Sequence, residues 1–218
     1  MKTLLPILAL LSAAALAQTP ARDPAFLPVH ETPGLPRVLL IGDSISIGYT
    51  PAVRDLLKGE AIVHRIGENG GPTSNGAARL DAWLGTFEWD VIHFNFGLHD
   101  LKITQHGRRQ VEPAEYEKNL RAIVARLKQT GAKLIFATTT PVPEGKVSPP
   151  RNPAGVSLYN AAALAVMKET GVEVDDLYEF ALPRLKEIQR PVNVHYTEAG
   201  YAALAARVAA SIRQALPR

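Results

Sequence analysis

From Arg37 onward, short apolar runs rich in β-forming residues alternate with longer segments of helical spacing, and few folds accommodate such a chain. The runs are Val38-Leu39-Leu40-Ile41, Ala61-Ile62-Val63, Val91-Ile92-His93-Phe94-Asn95-Phe96, Leu134-Ile135-Phe136-Ala137 and a weaker Val172-Glu173-Val174. Strands covered on both faces read as unbroken apolar stretches, and parallel neighbours need a long crossover, usually a helix. Helical candidates lie at about 50–57, 75–84, 113–129, 156–170 and 197–215. The third is the clearest: Tyr116, Leu120, Ile123, Val124 and Leu127 recur on one face, with Pro113 to start it and Gly131 to stop it. The pattern predicts one α/β domain over residues 37–218, a doubly wound five-stranded parallel sheet flanked by helices.

The first 36 residues do not join that pattern. Met1-Lys2-Thr3, the apolar stretch Leu4 to Leu16 and the small-x-small triplet Ala15-Leu16-Ala17 predict a signal peptide over 1–17, cut after Ala17, and a secreted or periplasmic product. The stretch is broken by Pro6 and falls short of the roughly 20 residues that span a bilayer, so no stable membrane insertion is expected. Residues 18–36 hold Pro20, Pro24, Pro28, Pro33 and Pro36 and are expected to run as an extended leader. The chain has no cysteine, which removes disulfides, thiolate metal sites and a cysteine nucleophile. A net charge of +3, from 24 basic against 21 acidic residues, is too thin to suggest a nucleic-acid partner.

Open parallel sheets place ligands beyond the carboxyl ends of their strands. After the first strand comes Gly42-Asp43-Ser44, which taken alone is an ordinary helix entry. After the second comes Gly67-Glu68-Asn69-Gly70-Gly71-Pro72-Thr73, and after the third Gly97-Leu98-His99-Asp100. Near the C-terminus Val192-Asn193-Val194-His195 directly precedes a helix capped by Thr197. A serine on the first of these loops and a histidine on the last can meet at one sheet edge.

These segments, in this order and spacing, resemble the blocks of the GDSL/SGNH hydrolase superfamily from Val38 to about Arg213. The resemblance implies an ester hydrolase with Ser44 as nucleophile and His195 as its general base, and no cofactor or metal. It also implies an oxyanion hole built from the Ser44 N–H, a glycine N–H in the second block (Gly71, or Gly70 beside it) and a side chain in the third. Each such donor is worth ~3 kcal/mol in the transition state. Where the family usually has asparagine this chain has His99, whose ring N–H can donate in its place, with Asn69 or Asn95 as alternatives. Asp100 is then a structural neighbour that bonds loop amides.

The family's triad acid lies three residues before the histidine, and that position is Val192. Either a backbone carbonyl near residue 192 supports His195 in a Ser-His dyad, or Asp175, Asp176 or Glu198 supplies the carboxylate. A dyad base without a carboxylate is expected to titrate near the ordinary histidine value of ~6.5. His93 and His64 read as core histidines. Lys102, Arg108, Arg109, Lys146 and Arg151 fall on loops near the predicted site, where charges ordinarily face water.

The expected function is removal of O-acyl, above all O-acetyl, groups from a small-molecule or polysaccharide ester. Lipid acyl or thioester hydrolysis is the neighbouring alternative, and glycan binding without catalysis the alternative of a different class. Oligomeric state is not legible in the sequence.

Overall fold

A computed structural model describes residues 22–217. The expected signal peptide, with its cut after Ala17, lies outside the described residues. Five strands, β1 (Arg37–Ile41), β2 (Ile62–Arg65), β3 (Val91–Phe94), β4 (Lys133–Ala137) and β5 (Glu173–Asp175), pair in parallel in the order β2-β1-β3-β4-β5. The chain therefore moves outward from β1 to β2, then doubles back past β1 to β3 and on to β5. With right-handed crossovers, the first connection covers one face of the sheet and the next three the other. α1 (Ser44–Leu56) follows β1, α2 (Thr73–Leu84) follows β2, α3 (Pro113–Lys128) follows β3 and α4 (Pro153–Thr170) follows β4. α2, α3 and α4 pack side by side. α1 packs instead on the C-terminal helix, which follows two short helices, α5 (Leu177–Ala181) and α6 (Leu185–Ile188), and is α7 (Glu198–Ala215).

The burial pattern explains why the strands were legible. Every residue of β3 is buried, as are Val38 to Ile41 of β1 and Leu134 to Ala137 of β4, so no polar alternation interrupts them. α1 begins at Ser44, six residues before its expected start at residue 50, and carries Gly48 and Pro51 inside it. Ile45, Tyr49 and Val53 nevertheless form one buried face at helical spacing. Gly48 has a packing role: a Cβ there would lie 2.1 Å from the ring of Tyr201 on α7. That close approach fixes the helix that begins with Ser44 against the helix that follows His195.

The leader is docked rather than simply extended. Pro24–Phe26 forms a 3-10 turn, started by the Asp23 carboxylate accepting the Ala25 N–H at 2.9 Å, and Ala25 is fully buried. Arg54 donates to the Pro24 carbonyl at 3.0 Å, and the Arg65 guanidinium lies 5.2 Å from the Phe26 ring centre. Glu31 pairs with Arg37 at 3.0 Å and lies 2.8 Å from His64 Nε2, a ring whose pKa burial lowers, so His64 is a partly buried contact of the leader and not a core residue. Two apolar side chains and a few charges between prolines suffice to hold a segment that has no periodicity of its own.

Candidate active site

The strand order reverses between β1 and β3, and the crevice beyond their carboxyl ends receives the loops singled out in the sequence. Asp43 is the N-cap of α1 and accepts the Ile45 N–H at 2.9 Å. This places Ser44 at the first helical position, where its N–H has no intrahelical acceptor and the helix end favours negative charge. From the far end of the domain, the loop before α7 brings His195 Nε2 to 2.9 Å from Ser44 Oγ, across 151 residues of sequence.

The other ring nitrogen meets a residue that the sequence reading passed over. Asn193 Oδ1 lies 2.9 Å from His195 Nδ1 and also accepts the His195 backbone N–H at 2.9 Å. A backbone N–H can only donate, so the atom between these two groups is the amide oxygen and not the NH2. That oxygen in turn requires a proton on Nδ1. The lone pair is thereby left on Nε2, facing the Ser44 hydroxyl. The support is neither a backbone carbonyl near residue 192 nor a carboxylate.

None of the three acids proposed for that place is in hydrogen-bond contact with His195. Asp175 is fully buried between His93 (3.2 Å) and Arg207 (2.8 Å). Asp176 accepts from the Thr138 hydroxyl at 2.8 Å and from the Glu179 N–H at 3.1 Å. Glu198 is exposed in the first turn of α7. Val192 turns out to be 51% exposed, lies beside Gly145, and has φ of 50°. A β-branched residue in the left-handed region is strained, at roughly 1–2 kcal/mol. Val192→Asn, which tolerates that conformation, is expected to stabilise the protein by about 1 kcal/mol, read from the urea midpoint.

Burial, reinforced by the charges of Arg190 and Arg151 and opposed by Asp43, lowers the His195 pKa below the ordinary 6.5. The sequence placed it near 6.5, since the desolvation of this ring was not visible there. If the neutral ring is the base, activity is lost as the pH falls through this lowered pKa. The acid limb of kcat/KM is therefore expected below pH ~6.5, with activity flat above it. A limb well above that value would contradict a base held in this environment.

The oxyanion donors expected from the sequence are gathered at the same place, with one rearrangement. The Gly70 N–H is bonded to the Gly42 carbonyl at 3.0 Å, tying the second loop to the first. The Gly71 N–H is held by Asn69 Oδ1 at 3.0 Å, so Asn69 is an acceptor here, and it must release Gly71 for that N–H to meet an oxyanion. Asn95 donates to the Ala137 carbonyl at 2.7 Å. His99 Nδ1 lies 2.9 Å from Lys102 Nζ. An ammonium can only donate, so Nδ1 is the acceptor and the ring's proton sits on Nε2. Burial pushes the His99 pKa down to about 4, which keeps the ring neutral with that single N–H.

Hydrogen bonds between loops hold the arrangement. Asp100, whose pKa burial raises to about 6, accepts the N–H (2.9 Å) and hydroxyl (2.5 Å) of Thr73, capping α2 from the third loop. Arg65 donates to the carbonyls of Gly42 (2.8 Å) and Asp43 (3.1 Å) on the first loop and Glu68 (2.7 Å) on the second. Arg151 Nε donates to the Leu98 carbonyl at 2.8 Å, and Gln189 Nε2 to that of Pro141 at 2.9 Å. Of the five loop cations, Arg151 is buried and Lys102 half-buried against His99, whereas Arg108 and Lys146 face solvent as expected and Arg109 faces Glu112 at 3.9 Å.

Comparison with known proteins agrees with this arrangement. Residues 40–203 match the GDSL-like lipase/acylhydrolase family, a span that takes in every loop just described. The chain belongs to that family. It is thus a GDSL ester hydrolase with the five-stranded α/β fold expected of one. A lipase/acylhydrolase from Enterococcus faecalis superposes with a TM-score of 0.73 at 24% identity, covering 84% of this chain and 98% of its own. The acetyl xylan esterase AlAXEase superposes at 0.69 with 18% identity, covering 81% and 99%. An acetylxylan esterase from Geobacillus stearothermophilus superposes at 0.68 with 21% identity, covering 81% and 94%. No curated protein matches the sequence.

Proposed function

We propose that this GDSL hydrolase is an exported serine esterase that removes O-acyl groups, O-acetyl foremost, from a carbohydrate by way of an acyl-enzyme. The observation that carries the reading is Ser44 Oγ at 2.9 Å from a His195 Nε2 whose lone pair is assigned by Asn193. In this scheme Nε2 takes the hydroxyl proton as Oγ bonds to the acyl carbon. The developing oxyanion meets the Ser44 N–H, the Gly71 N–H once Asn69 lets go, and His99 Nε2–H. The imidazolium is stabilised through Nδ1–H donating to Asn193 Oδ1, and its Nε2 proton then passes to the leaving alcohol. Water repeats the sequence to free the acid.

The carbohydrate acetyl preference is supported by the two acetylxylan esterases among the similar folds, and export by the cationic and apolar N-terminal segment. Acetate released from a panel of acetylated polysaccharides tests it. Release from at least one of them, together with serine labelling by a fluorophosphonate, is the expected result.

A second reading, hydrolysis of longer acyl chains, draws on an open cavity of about 730 Å³ beside the His195 loop, where Pro143, Leu182, Leu185 and Pro191 alternate with Glu144, Lys186, Glu187 and Arg190. A nitrophenyl ester series separates the two. Rates that peak at acetate favour deacetylation, and rates that climb through octanoate favour lipid.

A further inference from the structure

Arg151 is only 8% exposed, yet no carboxylate pairs with it among the described residues. Its Nε–H and one N–H of Nη1 donate to the carbonyls of Leu98 (2.8 Å) and Pro149 (3.0 Å). Nη2 has no acceptor among the described residues and is not one of the sealed, unpaired interior atoms. The Ile103 N–H donates to the Pro150 carbonyl at 2.8 Å, joining the loop of Arg151 to that of Lys102, which is half-buried, has its ammonium on His99 and touches no carboxylate among the described residues. The nearby acids do not neutralise the pair directly. Asp43 is the α1 cap and also faces Arg65, and Asp100 binds Thr73 through Oδ1; both acids act on the two cations only across a gap, with no ion pair formed.

The fields of both cations are felt at the site. Lys102 and Arg151 each depress the basicity of His99, Arg151 also that of His195, and the exposed Arg190 adds to the effect. A cation withdrawn from water without a counter-charge is costly, and the cost is offset when an anion arrives with the ligand. Arg151 keeps N–H groups on its outer nitrogens to offer, and the Lys102 ammonium adds further donors and a second positive charge for a carboxylate.

We infer that Lys102 and Arg151 form an anion subsite beside Ser44 and His195, which receives a carboxylate carried by the ester substrate. This deepens the proposed function and rests on Ser44 and His195 being its reacting pair. The carboxylate has two chemical sources, the alcohol part of the ester, as in an O-acetylated uronic acid, or the acyl part, as in a hemisuccinate. The exposed cations of the neighbouring loops are not needed for it.

The test compares kcat/KM within two matched pairs: methyl 2-O-acetyl-glucuronoside against methyl 2-O-acetyl-glucoside, and monomethyl succinate against methyl butyrate. One acidic ester is expected to lead its neutral partner by about tenfold or more, the lead shrinking at high salt. The ratio should fall toward one in Lys102→Gln and in Arg151→Gln. Taking the ratio cancels any change these variants cause in the shared chemical step, including one made through His99. Lys102 is half-exposed, so its variant remains informative if the buried Arg151→Gln fails to fold. Turnover of 4-nitrophenyl acetate with no acidic preference in either pair overturns the subsite while leaving the esterase standing. Absence of any turnover defeats the esterase reading instead. Calorimetric titration with glucuronate against glucose then decides the subsite: selective glucuronate uptake, lost in Lys102→Gln, supports it, and no selectivity overturns it.

Discussion

Ser44→Ala is expected to lower ester hydrolysis by on the order of 10⁴-fold or more while leaving the melting temperature nearly unchanged. The hydroxyl contacts His195 at 2.9 Å and caps nothing, since the N-cap of α1 is Asp43. Alanine at this first helical position keeps the backbone N–H that would meet the oxyanion, and it removes no core volume. What is lost is the atom that attacks. Residual turnover by an activated water would persist, because positioning and the oxyanion donors survive the change. Ser46 supplies the control: it is buried two residues further along α1, its hydroxyl 3.4 Å from Arg65 Nη2, with no contact to the imidazole. Ser46→Ala is expected to stay within a few-fold of the parent. Steady-state rates on 4-nitrophenyl acetate check both, and a Ser46 variant that is dead beside an active Ser44 variant would reverse the assignment.

The scaffold was legible because parallel strands buried on both faces advertise themselves as apolar runs, and because the site loops follow those runs directly. Ser44, Gly70, Gly71, His99 and Asp100 fall on loops that leave the strand ends, and His195 on the loop before α7. What the sequence withheld were relations settled by side-chain direction. Asn193 was available to any reader of Val192-Asn193-Val194-His195, since an asparagine commonly folds its oxygen onto the N–H two residues later. The second carbonyl lone pair, which reaches Nδ1, depends on the imidazole rotamer and has no signal in the letters. Lys102 and Arg151 were hidden differently. A loop cation is in water by default, and only packing of the loop after β4 over Leu98 withdraws Arg151 from it. The docking of the leader has no signal in the letters because Ala25 and Phe26 carry no period.

Asn193→Ala is expected to reduce kcat by on the order of 10²- to 10³-fold, the larger part from losing control of the His195 tautomer. An amide in the acid's place defeats a serine-histidine pair when its NH2 end faces the ring, a loss on the order of 10⁴-fold, because the proton is then held on the wrong nitrogen. Here the His195 backbone N–H prevents that orientation by demanding the oxygen for itself. The amide therefore does the acid's orienting work but brings no negative charge. Asn193→Asp separates these two contributions. It retains the oxygen that both His195 donors use and adds a charge beside a ring whose pKa burial has lowered. A carboxylate favours the imidazolium, so the pKa rises, and the acid limb of kcat/KM should move to higher pH. The same charge stabilises the imidazolium of the transition state, so the plateau rate should match or exceed that of the parent. Because Asn193→Ala also frees a backbone N–H, a melting curve must accompany it to separate a loosened loop from a misplaced proton. The pH profile does so independently, since a loosened loop has no reason to move the limb in Asn193→Asp. Should Asn193→Ala remain within threefold of the parent and the limb of Asn193→Asp stay in place, Asn193 only staples the loop, and His195 serves without a third member.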